Sequence, residues 1–237
     1  MEMSWFWAHD AQADQLSALV DTGLGDTGLV DTGLGDMGTG VPGLGLVRLA
    51  SYGDGPARRF AALLRTGPAR TFEVDVPADR IPVDTVAVTG TGPTFTVVRE
   101  AGRASSVHFG ESLPPGNSLP AGRVLDISSS TPTAAYVLAQ PPGSGGPPAQ
   151  QVLAGLDERE LRRALRRLDA QPTLVRLGID GSLTAVAEPG PPTRWAAGID
   201  ADEVAHELNR RGAYPLDLDA VRTGAGVRFS VVVRRPD

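Results

Sequence analysis

Two histidines in this chain stand beside carboxylates: His9 precedes Asp10, and Glu111 follows three residues after His108. An imidazole titrates near neutral pH and a neighbouring carboxylate can orient it, so each pair is a candidate general acid and base. Each histidine reads equally well as a hydrogen-bonding residue at a junction between structural units. The third, His206, sits among charged neighbours in "EVAHELNRR" and is expected to face solvent. Arg48, Arg123 and Arg176 open comparable apolar segments, "LVRL", "GRVL" and "LVRL". If those strands line a cavity, three guanidinium groups can clamp a carboxylate or enolate; with the opposite alternation they point outward. Tyr52 and Tyr136 recur near the same turns, where a phenol can donate to a developing oxyanion or pack with its hydroxyl satisfied. Trp7 completes the candidate substrate-binding set; it reads otherwise as a packing anchor, like Trp5 and Trp195.

The stretch "DTGLGDTGLVDTGLGDMG", residues 21–38, places Asp21, Asp26, Asp31 and Asp36 at equal spacing. Repeated Asp and Gly can offer hard oxygen ligands to calcium. The run lacks the Asp-x-Asp spacing of an EF-hand loop and does not fit the nonapeptide calcium repeat, so it reads as a low-complexity surface insertion over 21–40.

Composition removes several classes of function. The 237 residues carry a formal charge of −6, with no electrostatic reason to approach a phosphate backbone, and aromatics make up only 5% of the chain for base stacking. Nucleic acid is therefore not an expected partner. Without cysteine there are no disulfides, thiolate metal sites or thiol nucleophiles. "MEMSWFWAHD" lacks the features of a signal peptide, and no run approaches the ~18 apolar residues of a membrane span, so a cytoplasmic protein is expected. All 22 basic residues are Arg, a bias that points to a very GC-rich genome such as those of actinobacteria.

The elements that must position these residues repeat along the chain. "WAHDAQADQLSALV" from Trp7 aligns without a gap with "WAAGIDADEVAHEL" from Trp195; "VLAGLDERELRRAL" from Val152 keeps the same spacing, "FEVDVPADRI" from Phe72 is weaker and "VHFGESL" weaker still. Strand-like pairs follow each start. "DERELRRALRRL" carries an apolar stripe of Leu156, Leu161, Leu165 and Leu168 with acids leading and arginines following, and "DADEVAHELNRRG" offers Asp200 and Glu203 as a capping box with Gly212 as a stop. Prolines 77, 82, 114 and 115 oppose full helices in the second and third units. The unit is thus expected to be a short helix followed by a hairpin, over about 5–67, 68–100, 101–141, 150–189 and 193–236 of a single repeat domain, 1–237. Trp195 to Phe229 spans 34 residues and Trp7 to Phe60 spans 53, so the first unit is longer by 19, close to the length of the pentapeptide run.

Trp7, Leu16, Tyr52, Arg59 and Phe60 in the first unit, and Trp195, Val204, Gly212, Tyr214, Arg228 and Phe229 in the last, resemble the bacterial tandem repeat domain in the N-terminal half of polyglycine hydrolases. The resemblance is clear over those two units, fair over 152–188 and faint over 70–140. It implies architecture more than activity, since the chemistry of that family belongs to a β-lactamase-like half with a Ser-x-x-Lys motif, and this chain has no Lys. Repeats that cannot bury an apolar face alone must pack on their neighbours. The expected fold is α+β, about five helix–β-hairpin repeats closed into an α/β-propeller-like ring around a cavity; the alternative is an open curved stack.

No Gly-x-Ser-x-Gly, Walker loop or dinucleotide fingerprint is present, and no cofactor is expected. The functional expectation is a cofactor-independent enzyme binding a small molecule in a central cavity, a cyclase or isomerase working by positioning and proton transfer. The competing expectation is a non-catalytic repeat module that binds a peptide, glycan or small molecule.

Overall fold

The structure is a computed structural model that describes residues 5–22, 44–90, 93–110, 122–128, 134–139 and 150–234. Within these residues the chain builds five antiparallel sheets of three strands each. The first sheet contains β1 (Trp5–Ala11), β2 (Leu44–Tyr52) and β3 (Arg59–Thr66), and the second β4 (Thr71–Pro77), β5 (Thr85–Thr89) and β6 (Thr94–Arg99). The third holds β7 (Ser105–Gly110), β8 (Arg123–Ser128) and β9 (Ala134–Ala139); the fourth β10 (Gln151–Leu156), β11 (Gln171–Leu177) and β12 (Leu183–Glu188). β13 (Thr193–Ile199), β14 (Tyr214–Thr223) and β15 (Gly226–Arg234) form the fifth. In every sheet the third strand in sequence is central, and the first and second are its edges.

This corrects the expected fold. The chain is mostly β, and its unit is three strands rather than a helix and a hairpin. Among the described residues there are three helices: α1 (Ala13–Thr22), α2 (Glu158–Leu168) and α3 (Ala201–Leu208), each between the first and second strands of its sheet. Because the units are three-stranded sheets, neither the α/β-propeller-like ring of helix–hairpin units nor an open stack of them is formed. The segments that open the units, such as "WFWAHDA", are strands and not the beginnings of helices. Their pattern is masked by a β-bulge in four of the five first strands, between Ala8 and Ala11, Glu73 and Val76, Leu153 and Leu156, and Ala197 and Ile199. A bulge inserts an extra residue and disrupts the two-residue alternation by which a strand is recognised. The bulges place Asp10, Asp75, Gly155 and Gly198 at positive φ, 57°, 58°, 68° and 73°.

α2 and α3 form where their local signals are strongest. Asp157 caps α2 by accepting from Glu160 N at 2.7 Å while Glu160 accepts from Asp157 N, and Asp200 and Glu203 do the same for α3. Leu161, Ala164 and Leu165 turn inward from α2, and Val204 and Leu208 from α3. In the second sheet a single 3-10 turn, Ala78–Arg80, occupies the place of a helix. Among the described residues no helix is long and apolar enough to cross a membrane. The pentapeptide run beyond Thr22 lies outside the described residues.

Among the described residues, five apolar cores lie between sheets rather than within one. Leu16, Leu49, Phe60 and Val98 join the first two sheets; Val88, Phe95 and Val137 the second and third. Ile127, Leu138, Leu174 and Val186 join the third and fourth, and Leu161, Val175, Trp195 and Val232 the fourth and fifth. Trp7, Leu63, Leu218 and Phe229 join the fifth and first. Each sheet thus buries its faces against two others, and burial at about 25 cal/mol per Å² of apolar surface drives that association.

Candidate functional site

The second strands, β2, β5, β8, β11 and β14, each carry a bulge near their start. Counting from it, Arg48, Ala87, Asp126, Leu174 and Asp217 fall in register, and two residues further on so do Ala50, Thr89, Ser128, Arg176 and Asp219. The five three-residue words are therefore "RLA", "AVT", "DIS", "LVR" and "DLD". Their middle residues, Leu49, Val88, Ile127, Val175 and Leu218, are buried, each in a different core. The outer letters carry the polar chemistry.

That chemistry follows from the strands being edges. An edge presents main-chain N–H and C=O groups that a buried site cannot leave unpaired. Side chains from neighbouring sheets satisfy them. Ser51 N donates to Thr89 Oγ1 at 3.0 Å and Val88 N to Asp126 Oδ2 at 2.9 Å. Arg176 Nε donates to Ile127 O at 2.7 Å, and Val175 N to Asp217 Oδ2 at 3.0 Å. Arg48 Nε lies 2.9 Å from Asp217 Oδ1, an ion pair whose N–H is not aimed at the oxygen.

Arg176 is the hub. Its Nη1 donates to Asp217 Oδ2 at 2.6 Å, and its Nη2 donates to Asp126 Oδ1. Arg48 Nη1 stands 4.0 Å from the same Asp126 oxygen. Buried Arg176 and half-buried Arg48 thus meet two buried anions, the pairing under which internal charges are tolerated. Burial by itself would lower the Arg176 pKa, but Asp217, Asp126 and Asp219 outweigh it and hold it well above the ordinary value.

Above this network opens a cavity of about 400 Å³, within the size range of small-molecule sites. All five second strands contribute: Ser51 and Tyr52, Thr89, Asp126 and Ser128, Arg176, and Asp219. Asp219 is the fifth charge, partly open on the cavity side and enclosed by protein elsewhere. Burial pushes its pKa up to about 7; Arg176 opposes the rise, Asp217 and Asp126 add to it, and a hydrogen bond from Ala220 N opposes it. A carboxyl titrating there can both take and give a proton at neutral pH. Asp126 and Asp217 are committed to guanidinium groups and main-chain N–H groups, and among the described residues no cluster of His, Asp or Glu suits a metal ion.

Of the residues singled out from sequence, Tyr52 and Arg176 line the cavity, and Arg48 lies beneath it in the network. Tyr52 Oη accepts from Asp10 N at 2.8 Å, and burial pushes its pKa up to about 12. Asp10 is the αL residue of the β1 bulge, at the position Gly155 and Gly198 hold in their units. His9 stacks on Trp7 at 4.9 Å beside Phe229 and does not line the cavity; burial lowers its pKa against the pull of Asp10 and Asp202. His108 stacks on Tyr136 at 5.0 Å and bonds Ser106 Oγ at 2.9 Å, also away from the cavity. Tyr136 and Trp7 belong to apolar cores. Arg123 precedes its bulge, is 47% exposed and pairs with Glu188 at 2.8 Å. Glu111 lies outside the described residues.

Sequence reasoning missed Asp126, Asp217 and Asp219. A signal for them exists: a carboxylate inside an otherwise apolar strand, as in "RVLDIS" and "PLDLDAV", needs a buried partner. No protein-family model matches the chain, and no curated protein matches its sequence.

Proposed function

We propose that the protein binds a small polar molecule in this cavity and transfers a proton on it through Asp219, as a cofactor-independent isomerase or cyclase does. The observation that carries the reading is a carboxyl set in the wall of a metabolite-sized cavity, against a floor of fixed, mutually neutralised charges, with burial pushing its pKa above the ordinary carboxylate range. Such a floor does not reorganise during reaction, and Asp219 is the group in the site poised to exchange a proton near neutrality. The acidic balance of the chain keeps nucleic acid out of this reading. We take the protein to act in the cytoplasm, in a specialised pathway of an actinobacterium.

The test is a thermal-shift screen of small hydroxylated and carbonyl compounds, followed by solvent deuterium exchange into any that bind. Asp219→Asn should keep binding and abolish exchange. Exchange that persists in this variant, or the absence of any stabilising compound, would sink the proposal. The positions of His9 and His108, both away from the cavity, favour a second reading in which the cavity only binds, as a repeat module related to the polyglycine hydrolase repeats would. Stabilisation without exchange in the unmodified protein is its signature.

A further inference from the structure

β2 and β14 deliver their C-terminal halves to the cavity; their N-terminal ends lie roughly 20 Å away, at ~3.3 Å per residue. Arginines gather there. Arg65 of β3, which pairs with Gly45 of β2, reaches onto the start of β14: its guanidinium lies 4.4 Å over the Tyr214 ring, and its Nη1 donates to Pro215 O at 3.1 Å. Arg234 of β15 pairs with Tyr214 across the ladder. Arg70 donates its Nη1 to Val47 O at 3.0 Å, and its Nε and Nη2 to Glu100 Oε2 at 2.9 and 2.7 Å.

Among the described residues, the carboxylates that meet arginines here are already engaged. Glu100 is shared between Arg70 and Arg103, and Asp217 is taken up by Arg48 and Arg176. The Nε atoms of Arg65 and Arg234 are shut off from solvent and have no hydrogen-bond partner among the described residues. A buried donor without an acceptor is costly and calls for a missing partner. The Arg65 guanidinium is held below its ordinary pKa by burial first and, among nearby charges, by Arg70, Arg48 and Arg234.

We infer that Arg65, Arg70 and Arg234 form an oxyanion-binding site at the N-terminal ends of β2 and β14, taking a phosphate or carboxylate group. The planar guanidinium forks suit either group, and Arg70, fixed by Glu100 and Val47 O, supplies a rigid wall. The site is separate from the cavity, so it stands or falls independently of the proton-transfer reading.

The experiment uses the full chain, with inorganic phosphate, acetate and chloride as probes at equal ionic strength, read by calorimetric titration and thermal shift. Saturable binding of phosphate or acetate, but not chloride, is expected, and the stronger of the two identifies the group. Arg65→Gln and Arg234→Gln should each weaken binding about tenfold, the cost of one charge-assisted contact. Arg65→Lys, which keeps the charge and loses the fork, should fall between and serves if the Gln variant fails to fold. Asp219→Asn should leave anion binding unchanged. The inference is overturned if neither oxyanion saturates, if the Arg variants bind as the unmodified protein does, or if Asp219→Asn removes the binding.

Discussion

Each sheet has two edge strands, both carry a bulge in most units, and the two bulges serve opposite ends. The bulge of the first strand is a backbone device. It demands one residue at positive φ, and Asp10, Asp75, Gly155 and Gly198 meet that demand in four units with little regard for side chain. The bulge of the second strand is a side-chain device. It recurs in all five units, yet the words after it differ, from "AVT" to "DLD", and those differences create the buried charges and the cavity. The repeated frame keeps its geometry, while the site arises where the repeats diverge.

The contrast breaks most sharply at Arg176. Arg176→Leu should destabilise the protein by about 3–5 kcal/mol, because Asp126 and Asp217 lose their shared partner while remaining buried. Urea unfolding measures this. A loss below about 1 kcal/mol would show that the network is not what joins the sheets at that level.

Asp219 predicts a pH dependence. Its folded pKa of about 7 lies above the unfolded value of about 3.9, so the native state holds a proton that the unfolded chain releases. The resulting stabilisation is complete below the unfolded value and is lost as pH rises toward and through about 7. The melting temperature of the unmodified protein, relative to that of Asp219→Asn, should therefore fall between pH 5 and 8. A constant difference would show that Asp219 titrates as an ordinary carboxyl.

The first-strand bulge is tested by exchanging its occupants. Gly198 has φ +73 and open space where a methyl group would sit, so Gly198→Ala should cost about 1 kcal/mol through backbone strain alone. Asp10→Gly, which installs the residue that other units use, should change stability by less than about 1 kcal/mol and leave ligand binding in the cavity intact. Loss of binding in Asp10→Gly would return Asp10 to the functional site.

Some of this was legible in the sequence. The capping boxes of α2 and α3 could be read from Asp157, Glu160, Asp200 and Glu203, because caps are local and depend on residues three apart. The first strands of the first and fifth units could not, since the bulge at Asp10 or Gly198 shifts their alternation and their pairing partners lie 30 to 60 residues away. Arg176 was visible as a candidate, but equating it with Arg48 and Arg123 ignored the second-strand bulge, which moves each arginine to a different level. The acids escaped for a related reason. Asp126, Asp217 and Asp219 acquire their meaning from cations on other sheets, a pairing that no local pattern encodes.

Tyr52 links the cavity to a first-strand bulge: it lines the cavity, and its hydroxyl accepts from Asp10 N. Phe229 stands edge-on to it at 6.4 Å and to Trp7 at 6.0 Å. A molecule that presses on Tyr52 should therefore disturb the surroundings of an indole two rings away, an optical gauge of occupancy readable in Trp7 emission once Trp5 and Trp195 are replaced by Phe.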